Sequence, residues 1–189
     1  MDGSMQLPCS NTVSESSKHT AERSRAAMKG TKCHELEAAV PASDLWAIYG
    51  TLRFVELVHT LLPQVLHKVD VLRGDGGVGT VIQVTFPPGN PGPQSYQEEF
   101  VKIDNENLVK EAAAIEGDIL AIGFTKYVTR FEITGKGPGS SVIKSTVEYE
   151  FDDGHPELEA AASTAPLAVA AERLVQYVKE QKKTTPASS

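Results

Sequence analysis

From Val65 to Phe151 the chain runs through six segments of alternating or β-branched character, and only after them does a long helical period begin. That order constrains the fold more than any other feature. The segments are VLHKVDVL, TVIQVTF, SYQEEFVKI, LVKEAAAIE, GFTKYVTRFEI and SVIKSTVEYEF. Asp104-Asn105-Glu106-Asn107 and TGKGPGS read as hairpin turns between them. Strands joined by hairpins build an antiparallel sheet. Along the last one Ile143, Val147, Tyr149 and Phe151 share a face at period two, so one side of the sheet is buried. A sheet with a single apolar face needs a cover. Leu167, Ala170, Ala171, Leu174, Val175 and Val178 recur at spacings of three and four, which gives a C-terminal helix able to supply it. Pro166 suits the start of that helix, and Ser163 or Thr164 can cap it.

Ahead of the strand run, CHELEAAV is a strand candidate closed by Pro41. Ser43 can cap a short helix carrying Leu45, Trp46, Ile48 and Tyr49, and FVELVHTLL forms a second that stops near Pro63. The expected order is strand, two short helices, about six strands and one long helix. A curved antiparallel sheet wrapped around a helix leaves space between the two, and such cavities take apolar ligands.

The stretch GDGGVGT, residues 74–80, satisfies G-x-G-x-x-G through Gly74, Gly76 and Gly79. A dinucleotide fingerprint needs a helix after the glycines, because the helix N-terminus carries the pyrophosphate. TVIQVTFPP follows instead, β-branched and closed by prolines, and Thr80-Val81 stand where a P-loop needs Lys-Ser/Thr. The glycines therefore read as supplying positive φ in a tight strand-to-strand turn.

With 189 residues and 40% hydrophobic content the chain suits one domain with a sizeable core. A net charge of -7 argues against a nucleic-acid groove or an anionic membrane surface as partner. No apolar run approaches the roughly 20 residues of a membrane helix. Residues 1–32 are polar and Ser-rich, which predicts a disordered arm before a domain spanning 33–183 and a flexible tail over 184–189. Cys9 and Cys33, one in the arm and one at its end, form neither a disulfide framework nor a zinc site, which points to a reducing compartment, the cytoplasm. His59 and His67 lack partners at ligand spacing, so no metal is expected.

GDGGVGT between two strands resembles the glycine-rich loop of the Bet v I family of pathogenesis-related plant proteins. Further stretches, LWAIYGTL, GPQSYQEEFVKIDNE, VIKSTVEYE and APLAVAAE, are similar to the norcoclaurine synthases of that family. The resemblance spans roughly His34 to Lys182 and implies an α+β helix-grip fold (Bet v I / START-like): a curved antiparallel sheet around the long C-terminal helix, with an internal cavity. It also implies a cofactor-free lyase that condenses dopamine with 4-hydroxyphenylacetaldehyde in a Pictet–Spengler reaction, giving (S)-norcoclaurine in benzylisoquinoline alkaloid biosynthesis. Such an enzyme is expected as a monomer or weak dimer.

That chemistry needs an acid near the carbonyl oxygen, a base near the arene and an apolar sleeve around both reactants. The resemblance assigns Tyr96 and Glu98 of SYQEEF and Lys110 of NLVKEA to catalysis: Lys110 as acid, Glu98 as base, Tyr96 as a donor to a substrate oxygen. Tyr96 and Glu98 share a strand face, and the 104–107 hairpin is expected to bring Lys110 near the level of Glu98. Phe100 and Thr129 are expected to bind substrate. Many of these synthases carry an aspartate where ungapped alignment puts Thr129, which cannot pair ionically with an ammonium. From composition alone the same glutamates and lysines read as a solvated outer face. Phe86, Phe100, Phe124 and Phe131 read first as core and second as an aromatic wall. Small residues at Ala112–Ala114 suit either a wider cavity or close packing. The alternative function is a carrier that binds hydrophobic plant metabolites without converting them.

Overall fold

The computed structural model describes residues 6–7, 12–15 and 26–184. The frame is a curved antiparallel sheet with two short strands added at its first edge. Its strands are β1 (Gln6–Leu7), β2 (Thr12–Glu15), β3 (Ala27–Ala38), β4 (Lys68–Arg73), β5 (Val81–Thr85), β6 (Ser95–Asp104), β7 (Val109–Gly117), β8 (Phe124–Gly137) and β9 (Ser140–Asp152). Their order is β1-β3-β9-β8-β7-β6-β5-β4, with β2 also paired to β3. The helices are α1 (Ala42–Tyr49), α2 (Arg53–Leu61), α3 (Asp118–Ala121), α4 (Leu158–Ala161) and α5 (Ala165–Thr184). The expected helix-grip architecture is the observed one.

The expected domain start at residue 33 falls inside β3, which begins at Ala27. Its partner decides this: β9 pairs with β3 from Ala27–Asp152 to Ala38–Ser141. The polar run AMKGTK shows no apolar period because its inward positions are filled by other means. An added Cβ at Gly30 would lie 2.3 Å from the ring of Tyr149. Lys32 donates to the carbonyl oxygens of Glu159 and Ala162, the latter at 2.7 Å, and so ties β3 to the end of α4. Within the segment expected as a disordered arm, β1 and β2 pair with β3, and the remainder up to residue 25 lies outside the described residues. The tail over 185–189 also lies outside them. Cys33 is disulfide-bonded, which corrects the expectation of unbridged thiols and removes the compartment argument built on it. Cys9 lies outside the described residues.

The glycine loop is the expected turn. Gly74, Gly76 and Gly79 have φ of 88°, 107° and 88°. The Gly79 N–H donates to Phe100 and the Phe100 N–H to Thr80, so the loop closes onto β6. α1 begins at Ala42 with Pro41 in the cap position, so Ser43 sits in the first turn and caps nothing. Ser163 does cap α5, accepting the Ala165 N–H on its hydroxyl. α3 was not legible in GDILAI, which is too short to show a helical period.

Two apolar clusters fill the space under the sheet. The larger joins α1, α2 and α5 to the concave face through Leu45, Val58, Phe131, Ile143 and Leu174 among others. The smaller gathers Ile119, Phe124, Tyr149, Phe151 and Leu158 at the other end. Burying each of Leu174, Val175 and Val178 on α5 contributes about 1.5–3 kcal/mol, which holds the helix against the sheet. The cavity opens where this packing leaves room.

Candidate functional site

An inner chamber of about 90 Å³ lies between the sheet, α2 and the first turns of α5. Tyr96, Glu98, Phe100, Lys110 and Thr129 all line it. The five residues expected from sequence therefore share one cavity. Val55 and Val58 of α2 and Pro166 and Leu167 of α5 complete the wall. The sequence placed these four in helices without marking them as cavity wall, since an apolar stripe looks the same over a core and over a cavity. An outer chamber of about 470 Å³ shares Val65, Phe86, Tyr96, Thr129, Pro166 and Leu167 with the inner one. Tyr127 lines the outer chamber and was not foreseen.

Lys110 is not level with Glu98. Glu98 pairs with Ala114, and Lys110 pairs with Ile103, nearer the hairpin. A bulge between Phe100 and Lys102 changes the parity of β6, so Phe100–Ala112 and Ile103–Lys110 both point inward. The long lysine stem then carries the ammonium over the Phe100 ring, 3.7 Å from its centroid. The Nζ donates to the Thr51 carbonyl oxygen at 3.1 Å, in the link between α1 and α2. Lys110 is only 3% exposed. Burial lowers its pKa to about 8, against the opposing pull of Glu98. Glu98 is pushed the other way, up to about 7, by burial, and the Lys110 charge holds the rise in check. The pair is thus coupled through the cavity, with both groups titrating close to neutral pH.

Tyr96 stands between the two chambers. Its ring centroid is 5.7 Å from that of Phe86 and 6.4 Å from that of Tyr127. Burial first, then the charge of Glu98, pushes its phenol well above the ordinary tyrosine value, so it stays a neutral donor. Thr129, expected from the sequence to bind substrate, faces both chambers and is 9% exposed. Phe86 and Phe131 belong to the inner wall, whereas Phe124 packs in the smaller core cluster. Ala112 lines the cavity and Ala114 packs against the smaller cluster, so the small-residue run serves both expected purposes. Among the described residues no group of three or more His, Cys, Asp or Glu side chains could hold a metal ion. Among them, too, no helix is long and apolar enough to cross a membrane.

An apolar cavity gripped by a curved sheet and a C-terminal helix, with a buried glutamate and lysine in its wall, is the architecture of a small-molecule-binding protein. Residues 27–181 match the pathogenesis-related protein Bet v 1 family, and the chain belongs to it. It is 47% identical to norbelladine synthase of Narcissus pseudonarcissus over 82% of this chain and 95% of that one. It is 37% identical to S-norcoclaurine synthase of Thalictrum flavum subsp. glaucum over 79% of this chain and 70% of that one. A solved Thalictrum flavum norcoclaurine synthase, in complex with dopamine and hydroxybenzaldehyde, superposes with a TM-score of 0.74 at 35% identity, over 82% of this chain and 88% of that one. The expected likeness to norcoclaurine synthases is present, and the likeness to norbelladine synthase exceeds it.

Proposed function

We propose that this protein condenses an aromatic amine with an aldehyde, losing water, and closes the resulting iminium in a Pictet–Spengler step. The observation that carries the reading is the Glu98–Lys110 pair, a base and an acid poised near neutrality in one apolar cavity. Lys110 as ammonium polarises the carbonyl oxygen and gives up the proton that leaves with water. The amine nitrogen becomes the iminium, and an arene carbon attacks it. Glu98 then takes the ring proton and aromaticity returns. Tyr96 donates to a substrate oxygen at the neck between the chambers. No resident cofactor is required by these steps. Dopamine and 4-hydroxyphenylacetaldehyde are the proposed substrates and (S)-norcoclaurine the product, in line with the names of the relatives and the dopamine-bound neighbour.

The same reading puts the enzyme in the cytoplasm; a pathogenesis-related relative from Catharanthus roseus carries the word intracellular in its name. The bridged Cys33 argues the other way, and fractionation of the expressing tissue decides between them. Thr129 favours a second reading, a carrier without turnover, because no second carboxylate is there to draw the substrate ammonium in.

Chiral chromatography of the product from purified protein, dopamine and 4-hydroxyphenylacetaldehyde tests the choice. The uncatalysed condensation gives a racemate. The proposal expects a large excess of one enantiomer that disappears in Lys110→Ala. A racemate at the protein-free rate supports the carrier, and Thr129→Asp is then the variant in which turnover is sought. A protein-dependent product that borohydride reduces to an open-chain secondary amine shows condensation without ring closure.

A further inference from the structure

The glycine loop at residues 74–80 meets the surroundings of Lys110 from two sides. On one side it closes onto β6: the Gly79 N–H donates to the Phe100 carbonyl oxygen at 2.8 Å, and the Phe100 N–H to the Thr80 carbonyl oxygen at 2.9 Å. On the other it rests on the link between α1 and α2, where a Cβ added at Gly76 would lie 3.3 Å from Leu52. Thr51, the neighbour of Leu52, supplies the carbonyl oxygen that accepts from the Lys110 ammonium at 3.1 Å. The loop therefore fixes the strand that carries Phe100 and braces the link that carries the Thr51 carbonyl.

Phe100 completes the setting. Ala112 lies directly opposite it on β7, and Lys110 lies on the diagonal. The small methyl group opposite leaves room over the ring for the lysine head, which stands 3.7 Å from the centroid. The ring is 1% exposed, so water does not compete for its face. Neither group against the ammonium carries a charge: one is a carbonyl dipole, the other the negative face of an aromatic ring. Burial opposes the charged lysine here, and the charge of Glu98 supports it. Tyr96 is the other titratable group in the wall, whereas α2 and α5 present only apolar side chains to the chamber. A full ion pair would bind the proton tightly. A carbonyl and a ring face favour the cation by less and leave its proton easier to give up.

We propose that Phe100 is a positioning residue: its ring face and the Thr51 carbonyl form an uncharged cradle, framed by the glycine loop, that keeps Lys110 a cation in the cavity wall. That this cation serves as an acid rests on the condensation reading; the cradle itself needs no turnover.

Stepwise fluorination of Phe100 tests this, because mono-, di- and trifluorophenylalanine drain negative potential from the ring face with little change of shape. The titration of Lys110 is followed in the full chain through its isotope-labelled Cε signal, identified by its loss in Lys110→Ala. The Lys110 pKa is expected to fall with each added fluorine, and by about 0.4–1.5 pH units in Phe100→Leu, which has no ring. The alkaline limb of the kcat/KM profile is expected to move to lower pH by the same amount. A packing role alone would shift folding midpoints without ordering the titration by fluorine count. A Lys110 pKa that stays constant through the fluorinated series, or that moves out of order, overturns the proposal. The fluorinated rings fill nearly the same space, so the series stands even where Phe100→Leu fails to fold. An ordered shift in a protein giving only racemic product sinks the condensation reading and leaves the cradle in place. Stereoselective turnover with an unmoved Lys110 titration does the reverse.

Discussion

Strands β6, β7 and β8 carry charge on both faces, and the two faces treat it in opposite ways. Outside, Arg130 lies between Glu111 and Glu132, bonded to both and 3.1 Å from the latter. The hydrogen bond with Glu132 lifts the guanidinium further above its ordinary value, and the same bond lowers Glu132. Inside, Glu98 and Lys110 make no direct ion pair; each has lost water and gained an apolar wall. Their pKa values move toward neutrality, to about 7 and about 8. Glutamate and a cation therefore make an inert brace on one face and two desolvated, titratable groups on the other. The difference lies in pairing and solvent, since the residue types are alike.

The strongest way to break this comparison is to remove the inner charges. Lys110→Ala and Glu98→Gln are each expected to lower kcat by about 10²–10⁴, the usual range for loss of a positioned acid or base. Steady-state kinetics with circular dichroism as a folding control checks it, and a variant within a factor of two of wild type removes that residue from the mechanism. The pH profile sharpens the point. In the proposed reaction Glu98 acts deprotonated, so the rate is expected to rise as pH passes about 7, and Lys110 acts protonated, so it is expected to fall above about 8. A narrow bell in kcat/KM is the expected shape, and Glu98→Gln should lose what remains of the acid limb.

Stability should move against activity. Glu98 has a folded pKa of about 7 against an ordinary 4.5, so its ionised form opposes folding above pH 4.5, with the full penalty present beyond pH 7. The shift corresponds to about 3 kcal/mol at most, a figure that already contains the attraction of Lys110. Glu98→Gln is therefore expected to stabilise the protein by about 1–3 kcal/mol at pH 8 and by nothing at pH 4, read from denaturant midpoints. Destabilisation at pH 8 would contradict the account of a desolvated carboxylate. The smallest effect belongs to the outer face. Glu111→Ala leaves Arg130 its second partner, and the cost is expected to stay within about 1 kcal/mol with kcat unchanged.

Much of the molecule could be read in advance where a pattern is local. Alternation in SVIKSTVEYEF marked β9, the spacing of Leu167 to Val178 marked α5, and the glycines of residues 74–80 marked a turn because a β-branched run and not a helix follows them. The site residues were legible as a motif, Tyr96 and Glu98 on one face with Lys110 beyond a hairpin. Their surroundings were not. Whether a glutamate on a strand meets water or a cavity depends on which face the sheet turns inward, and nothing in SYQEEF states that. The bulge that moves Lys110 opposite Ile103, the Thr51 carbonyl that holds its ammonium, and the β9 partner that extends β3 back to Ala27 are pairings across 59 or more residues in the last two cases. Tyr127 passed unnoticed for the same reason, since a phenol in FTKYVTRF looks like any strand aromatic until Tyr96 and Ser163 stand beside it. Sequence by itself determined the elements, their order and the chemical groups present, because propensity and periodicity act over a few residues. Only the tertiary structure decided which of those groups lose their water, because desolvation is a property of the enclosing walls.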